Sequence, residues 1–253
     1  MSDDHQSISP EERLIDVRRL IVERGGVRID DLAIEFGVSE MTIRRDLAEL
    51  EALGAARRVR GGAVALGPEP FVQRHRHNAR SKGRIAEKLL PFIPTTGTVA
   101  LDASSTVHRL ARSLEGGRDL TVVTNGVDTF QALTGKPGIA ATITGGTEEP
   151  RTGSLVGAMA VRVARSFLYD VLICSGAALA HDVGSSEASL AESEVKRAFS
   201  ETSSRLILAV DRSKLGARAP ARMFELEEVD LLVTELDPGD SRLDPFRGAV
   251  ELL

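Results

Sequence analysis

The 253-residue chain contains one cysteine, Cys174, so no internal disulfide is possible. Set in the apolar run Val171-Leu172-Ile173, Cys174 reads as a small buried strand residue, and this usage fits a reducing, cytoplasmic location. No apolar run approaches the ~20 residues of a membrane-spanning helix. The N-terminus, Met1-Ser2-Asp3-Asp4-His5-Gln6-Ser7, is polar and acidic where a signal peptide would be basic and then apolar, so neither membrane insertion nor export is expected. The G-x-S-x-G elbow, the P-loop and the G-x-G-x-x-G fingerprint are all missing, as are internal repeats and long low-complexity segments. His75 and His77 have no cysteine or acidic cluster beside them, and His181-Asp182 has no nucleophile at a recognisable elbow. These absences leave no metal, no cofactor and no catalytic triad to expect.

A hydrophobic content of 42% supports a real core, and the length suits two modest domains. The net charge of −5 argues at first against a nucleic-acid partner. Its distribution reverses that reading. Residues 1–56 hold 7 Lys and Arg against 13 Asp and Glu, residues 57–84 hold 8 against 1, and residues 85–253 hold 17 against 23, for −6, +7 and −6. The positive segment directly follows a helix-forming stretch, which makes its position informative.

That stretch is Val38-Ser39-Glu40-Met41-Thr42-Ile43-Arg44-Arg45-Asp46-Leu47. Ser39 starts a helix, Val38, Ile43, Leu47 and Leu50 form an apolar stripe, and Thr42, Arg44 and Arg45 occupy the other faces. A helix held by its stripe while its first turns offer hydroxyl and guanidinium groups suits a DNA major groove. Its neighbours support this. Ser9-Pro10-Glu11-Glu12 has the spacing of a capping box and opens a helix that Gly25-Gly26 stops. A second short helix, about 30–36, ends at Gly37. Beyond the third helix, Arg57-Arg58-Val59-Arg60 and Ala63-Val64-Ala65 flank Gly61-Gly62 as a hairpin, a wing whose arginines would meet phosphates or the minor groove. Gly67-Pro68-Glu69-Pro70 then breaks regular structure.

From there short apolar runs alternate with helical stretches, the pattern of a mostly parallel α/β sheet. The runs are 98–101, 120–123, 139–143, 171–174, 206–210 and 231–233. In open sheets of this kind ligands bind at the carboxyl ends of the strands. Those ends read Asp102-Ala103-Ser104-Ser105-Thr106, Thr124-Asn125-Gly126, Thr144-Gly145-Gly146-Thr147, Ser175-Gly176-Ala177 and Asp211-Arg212-Ser213-Lys214. Singly each is an ordinary turn or N-cap. On one sheet edge they favour a site for a phosphorylated, hydroxyl-rich small molecule. Asp102, Glu187, Lys196, Asp211 and Lys214 could also serve acid-base chemistry, although nothing in their spacing requires it.

In this order the features resemble the DeoR family of bacterial transcriptional regulators over about residues 9 to 235. The resemblance rests on Val38-Ser39-x-x-Thr42-Ile43-Arg44-Arg45-Asp46-Leu47 with Leu50-Glu51, the wing from Arg58 to Ala63, and Phe71-x-x-Arg74 with Lys82-x-x-Ile85-Ala86. It continues through Leu101-Asp102-Ala103, Thr124-Asn125, Gly145-Gly146, Gly157, Glu194-Val195-Lys196-Arg197-Ala198 and Asp211-x-Ser213-Lys214. It implies a winged helix-turn-helix joined to an α/β sensor related in fold to ribose-5-phosphate isomerase and CoA transferases. The implied function is repression of a sugar or nucleoside catabolic operon under control of a phosphorylated metabolite. It implies DNA contacts from Ser39, Thr42, Arg44, Arg45, Arg57, Arg58 and Arg60. For the effector it implies Asp102, Ser104, Ser105, Thr106, Thr124, Asn125, Gly145, Gly146, Lys196, Asp211 and Lys214. Ser104 stands where the family commonly has glycine, so its side chain is expected to narrow the approach to a phosphate. Thr234-Glu235 replaces the usual Thr-Asp.

The expected organisation is a winged helix-turn-helix domain at 9–66, a linker at 67–82, an α/β effector-sensing domain at 83–240 and a C-terminal tail at 241–253. The expected partners are double-stranded operator DNA, a phosphorylated sugar-like effector and further copies of the chain in a homo-oligomer. The competing reading is an enzyme, a sugar-phosphate isomerase or acyl transferase carrying an accessory DNA-binding module.

Overall fold

The computed structural model describes residues 8–65 and 71–253; the Gly67-Pro68-Glu69-Pro70 break lies outside the described residues. The chain divides into two compact units, residues 1–73 and 74–253. Among the described residues, no helix is long and apolar enough to cross a membrane.

In the first unit, helix α1 (Pro10–Arg24) starts where the capping box predicts. Ser9 Oγ accepts from the Glu12 backbone N–H, and the Glu12 carboxylate accepts from the Ser9 N–H, each at 3.2 Å. Strand β1 (Gly26–Arg28), helix α2 (Ile29–Phe36) and helix α3 (Glu40–Ala52) follow. Strands β2 (Ala56–Val59) and β3 (Gly62–Ala65) form the expected hairpin. The wing gains a third strand that local pattern does not reveal, since β1 pairs antiparallel with β3. Gly62 permits this pairing: a Cβ there would stand 1.9 Å from the Val27 carbonyl oxygen. Val17 and Ile21 of α1 pack with Leu32 of α2 and with Ile43, Leu47 and Leu50 of α3 to form the core. Beside it Arg13 of α1 grips Asp46 of α3 in a buried bidentate pair, with Nε–Oδ2 at 2.6 Å. Leaving either partner alone there would strand a charge in a place water barely reaches.

The second unit begins within α4 (Phe71–Arg76) and continues with α5 (Ala79–Leu89), β4 (Thr96–Leu101), α6 (Ser105–Ser113), β5 (Asp119–Thr124), α7 (Val127–Leu133) and β6 (Ile139–Ile143). Then come β7 (Thr147–Glu149), β8 (Ser154–Val156), α8 (Ala158–Ala164), β9 (Val171–Cys174), β10 (Ala178–Ala180), β11 (Gly184–Glu187) and α9 (Leu190–Ser200). The chain ends with β12 (Leu206–Ala209), β13 (Ala221–Arg222), β14 (Leu231–Val233) and β15 (Glu251–Leu252). Seven strands form one sheet in the order β15-β14-β12-β9-β4-β5-β6, with every pair parallel. Alternation along the strands sends Val99, Leu101, Val122, Ile173 and Ile207 to one face, against Ile85, Leu89, Val107, Leu110 and Leu133 of α5, α6 and α7. Ala100, Leu172, Leu208 and Leu232 go to the other, against Ala160, Ala164, Val195 and Phe199 of α8 and α9. Both faces are covered, so the strands read as continuous apolar runs. From β4 the chain builds outward through β5 and β6, then returns to β9 on the other side and builds through β12, β14 and β15. The reversal lies between β4 and β9, and a crevice opens at such a point at the carboxyl ends of the strands.

Two sequence-based boundaries change. Residues 74–82 of the expected linker belong to the second unit, because their side chains and backbone bond to its strand-end loops. The expected tail, 241–253, is part of the core: Leu243 and Phe246 are buried, and β15 extends the sheet beside β14. Its apolar residues follow neither a helical nor a strand period, because the segment is a short 3₁₀ turn followed by a two-residue strand. Phe246→Ala is therefore expected to destabilise the second unit by about 3–5 kcal/mol, read as a lower denaturant midpoint for that unit's transition.

Candidate functional site

In the first unit, α3 presents its N-terminal half to solvent. Ser39 caps it, accepting from the Thr42 N–H at 3.2 Å, and Ser39 Oγ and Thr42 Oγ1 share a hydrogen bond of 2.9 Å. These hydroxyls therefore serve the cap first. Arg44 lies along the helix against Glu40 at 3.2 Å. Arg45 is exposed and has no ion-pair partner among the described residues. On the wing, the Arg58 N–H donates to Glu51 at 2.9 Å, while Arg57 and Arg60 are exposed and make no ion pair among the described residues. The seven residues expected to touch DNA thus sit on one helix and one hairpin, with Arg45, Arg57 and Arg60 the least engaged.

In the second unit, the crevice between β4 and β9 is built around Asp102. Its Oδ1 accepts from the Ser104 N–H at 3.0 Å, and its Oδ2 accepts from the Ser175 N–H at 3.0 Å. The carboxylate thereby clamps the loops after β4 and β9 to each other. Lys196, rising from α9, stands 3.0 Å from Asp102 and 2.5 Å from Glu187, and donates to the Ser175 carbonyl at 2.8 Å. Burial pulls the Lys196 pKa down, but the Glu187 and Asp102 carboxylates overcome this and raise it above its ordinary value. Asp102 and Lys196 are both buried, and their polar atoms are engaged. They support the crevice floor.

Lys214, after β12, is different. The residue is half-buried, and its ammonium donates to two neutral oxygens, Ser175 Oγ at 3.0 Å and the Gly176 carbonyl at 2.6 Å. Burial lowers its pKa, with Asp211 opposing. Asp211 is itself desolvated, yet its pKa is lowered because Ser213 donates to it and Lys214 lies near. A desolvated cation bonded to neutral groups favours an anion beside it.

Ser104 closes the first turn of α6. Its Oγ caps α6 by accepting from the Val107 N–H at 3.2 Å, so the hydroxyl is turned into the helix. Ser105 Oγ accepts from Lys82 Nζ at 3.1 Å. Thr106 is fully buried, and its Oγ1 has no hydrogen-bond partner among the described residues. The same is true of Asn125 Oδ1 and Thr129 Oγ1, after β5 and on α7. Thr124 Oγ1 accepts from the Gly126 N–H and shapes the turn that carries Asn125. Gly145 and Gly146 both have positive φ, and a Cβ on Gly146 would stand 2.5 Å from the Val156 carbonyl oxygen. Their part is to turn the backbone.

Sequence reasoning missed Asn78 as a crevice residue. Asn78 precedes α5 in the left-handed conformation, φ 54°, and its side chain makes no cap. Instead its Nδ2 donates to Asp211 Oδ1 and Ser213 Oγ, each at 3.0 Å. Arg74 belongs here too, donating to the Thr152 carbonyl at 3.3 Å and accepting from Lys82 Nζ and Ser105 Oγ at its own carbonyl. An asparagine just before a helix is an ordinary N-cap signal, and only the fold turns this one toward Asp211. Among the described residues no cluster of His, Cys, Asp and Glu is arranged to hold a metal ion.

Comparison with known proteins agrees with this two-part layout. A family model described as "DeoR-like helix-turn-helix domain" matches residues 13–69, and one described as "DeoR C terminal sensor domain" matches residues 77–236. The chain is 32% identical to the transcriptional repressor AccR of Agrobacterium fabrum, over 90% of each chain. It is 30% identical to the HTH-type transcriptional regulator GolR of Listeria innocua, over 89% of this chain and 91% of that one. It is also 30% identical to the glycerol-3-phosphate regulon repressor of Escherichia coli, over 87% and 88%. These relatives are named as regulators and not as enzymes. Among solved structures, ribose 5-phosphate isomerase A of Methanocaldococcus jannaschii aligns over 54% of each chain at a TM-score of 0.39 and 10% identity, a likeness too loose to assign chemistry.

Lys196→Met would leave Asp102 and Glu187 buried together without their counter-charge. The expected loss is about 3–5 kcal/mol of stability in the second unit. Because the folded pKa of Lys196 is raised, its contribution is fully present below the ordinary value of 10.5 and is lost only as pH rises through the raised value. In the wild type this contribution should accordingly not decline between about pH 6 and about pH 9, as read from denaturation curves.

Proposed function

The chain belongs to the DeoR family of transcriptional regulators, and from that premise we propose that it is an operator-binding repressor of a sugar or nucleoside catabolic operon, controlled by a phosphorylated, hydroxyl-rich metabolite. The observation that carries the ligand half is the composition of the crevice. The half-buried Lys214 is bonded to neutral oxygens, while Thr106 Oγ1 and Asn125 Oδ1, after β4 and β5, and Thr129 Oγ1, on α7, are buried with no hydrogen-bond partner among the described residues. A phosphate ester would supply the anion, and its hydroxyls would satisfy polar atoms that otherwise stay costly to bury. Glycerol 3-phosphate, which the name of one relative carries, is a member of that chemical class.

DNA binding falls to α3 and the wing. Arg45 and Arg44 meet bases and phosphates, with Ser39 and Thr42 at the helix start. Arg57, Arg58 and Arg60 supply largely sequence-independent, salt-dependent affinity. A symmetric homo-oligomer would offer two such helices to repeated half-sites. Control then follows from linkage. The metabolite must prefer an arrangement in which the recognition helices are misplaced, and DNA must weaken the metabolite by the same factor. Residues 74–82 suit this coupling, because Asn78 and Lys82 bond directly to the strand-end residues Asp211 and Ser105.

Two measurements test the reading. Full-length protein on its operator, followed by fluorescence anisotropy, should be released by phosphorylated sugars or polyols but not by their unphosphorylated forms or by inorganic phosphate. Lys214→Met should keep operator affinity and lose that response; indifference to every phosphorylated compound would overturn the sensor assignment. On the DNA side, Arg45→Ala should cost about 1–3 kcal/mol on the operator alone, whereas Arg60→Ala should weaken all duplexes alike and reduce the salt slope by about one.

A further inference from the structure

The face of α3 directly opposite its buried stripe is not an ordinary solvated face. Ile43, Leu47 and Leu50 point into the core, so the opposite side carries Met41, Arg45, Ala48 and Ala52, spaced at i, i+4, i+7 and i+11. Met41 is 65% exposed in the first turn. Single exposed apolar side chains are common on protein surfaces. Met41 differs because it lies one helical turn before the unpaired Arg45, while the neighbours that flank it are already engaged. Glu40 is paired with Arg44, and Ser39 with Thr42. The two alanines leave the helix backbone unobstructed for close approach. A surface with one unpaired guanidinium, one flexible apolar side chain and small residues behind them matches the floor of a DNA major groove, where a guanine edge accepts from arginine and a thymine presents a methyl group.

We propose that Met41 reads operator sequence by packing its side chain on the 5-methyl group of a thymine in the major groove, beside the base read by Arg45. This rests on the regulatory reading above and adds a specificity residue to it. Thr42 and Arg44, held by their neighbours, then act mainly as positioning and phosphate contacts. Because Met41 makes no core contact, its replacement should leave the fold intact.

The test uses the full-length protein and a duplex that it enriches from a random pool. Each thymine of that duplex is replaced in turn by uracil, which removes one methyl group and keeps every hydrogen-bonding group of the base. At one thymine per half-site the change should weaken wild-type binding about fourfold, the worth of one buried carbon. Met41→Ala should lose affinity on the thymine duplex, suffer no further loss from uracil at that position, and respond like wild type at all others. An unchanged circular dichroism spectrum and thermal transition would show that the variant is folded. If the two changes are additive everywhere, or if no thymine matters, the assignment of Met41 is wrong while DNA binding stands. If no duplex is enriched at all, the DNA-binding reading fails and this assignment fails with it.

Discussion

The second unit depends on one buried carboxylate. Asp102 sits at the reversal point of a parallel sheet, just past the last rungs that pair β4 with β9, where the loops that follow the two strands lead to opposite sides. By accepting from the Ser104 and Ser175 N–H groups, it holds together the loops that form the walls of the crevice. A carboxylate in such a place needs a counter-charge, and Lys196 supplies it. Lys196 in turn must satisfy Glu187, so the strand β11 and the helix α9 are drawn into the same network. One buried ammonium thus serves two buried carboxylates and ties the loops to α9. Beside this network Lys214 donates to two neutral oxygens, with Asp211 near it.

The same division between engaged and available groups organises the first unit. The Arg13–Asp46 pair and the apolar core fix α3 against α1, while Ser39, Glu40 and Glu51 hold Thr42, Arg44 and Arg58. Fixing these side chains in the free protein lowers the entropy lost when the surface meets a partner. Among the described residues, Arg45 on α3 and Arg57 and Arg60 on the wing make no ion pair, and Met41 stands exposed on the same helix as Arg45.

The ends of the predicted helices and strands were legible from residues alone wherever a local physical rule governs them. Ser9-Pro10-Glu11-Glu12 had to start a helix, Gly37 had to end one, and Arg57 to Ala65 had to turn back on itself, since capping, positive φ and β-alternation act within a few residues. The six principal strands were equally plain, because a parallel sheet buried on both faces demands continuous apolar runs. Strand β1 of the wing, the small sheet of β10, β11 and β13, and β15 at the sheet edge were not legible. Each is two to four residues long, and β1, β13 and β15 pair with strands far along the chain, while β10 pairs with its neighbour β11.

The candidate site shows the same boundary between local and distant causes. Sequence by itself determined that polar residues follow the strands, that an arginine-rich hairpin follows a capped helix, and that both belong to one recognisable family. Only the tertiary structure decided which polar residues bond to one another and which polar atoms stay without a partner among the described residues. It turned Ser104 into a helix cap and Asp102 with Lys196 into a strut, and it brought Asn78 from an expected linker to Asp211, 133 positions away. A residue's type sets what bonds it can make, but its partners come from the fold, and a hydroxyl or a carboxylate already satisfied by the protein is no longer available to anything else.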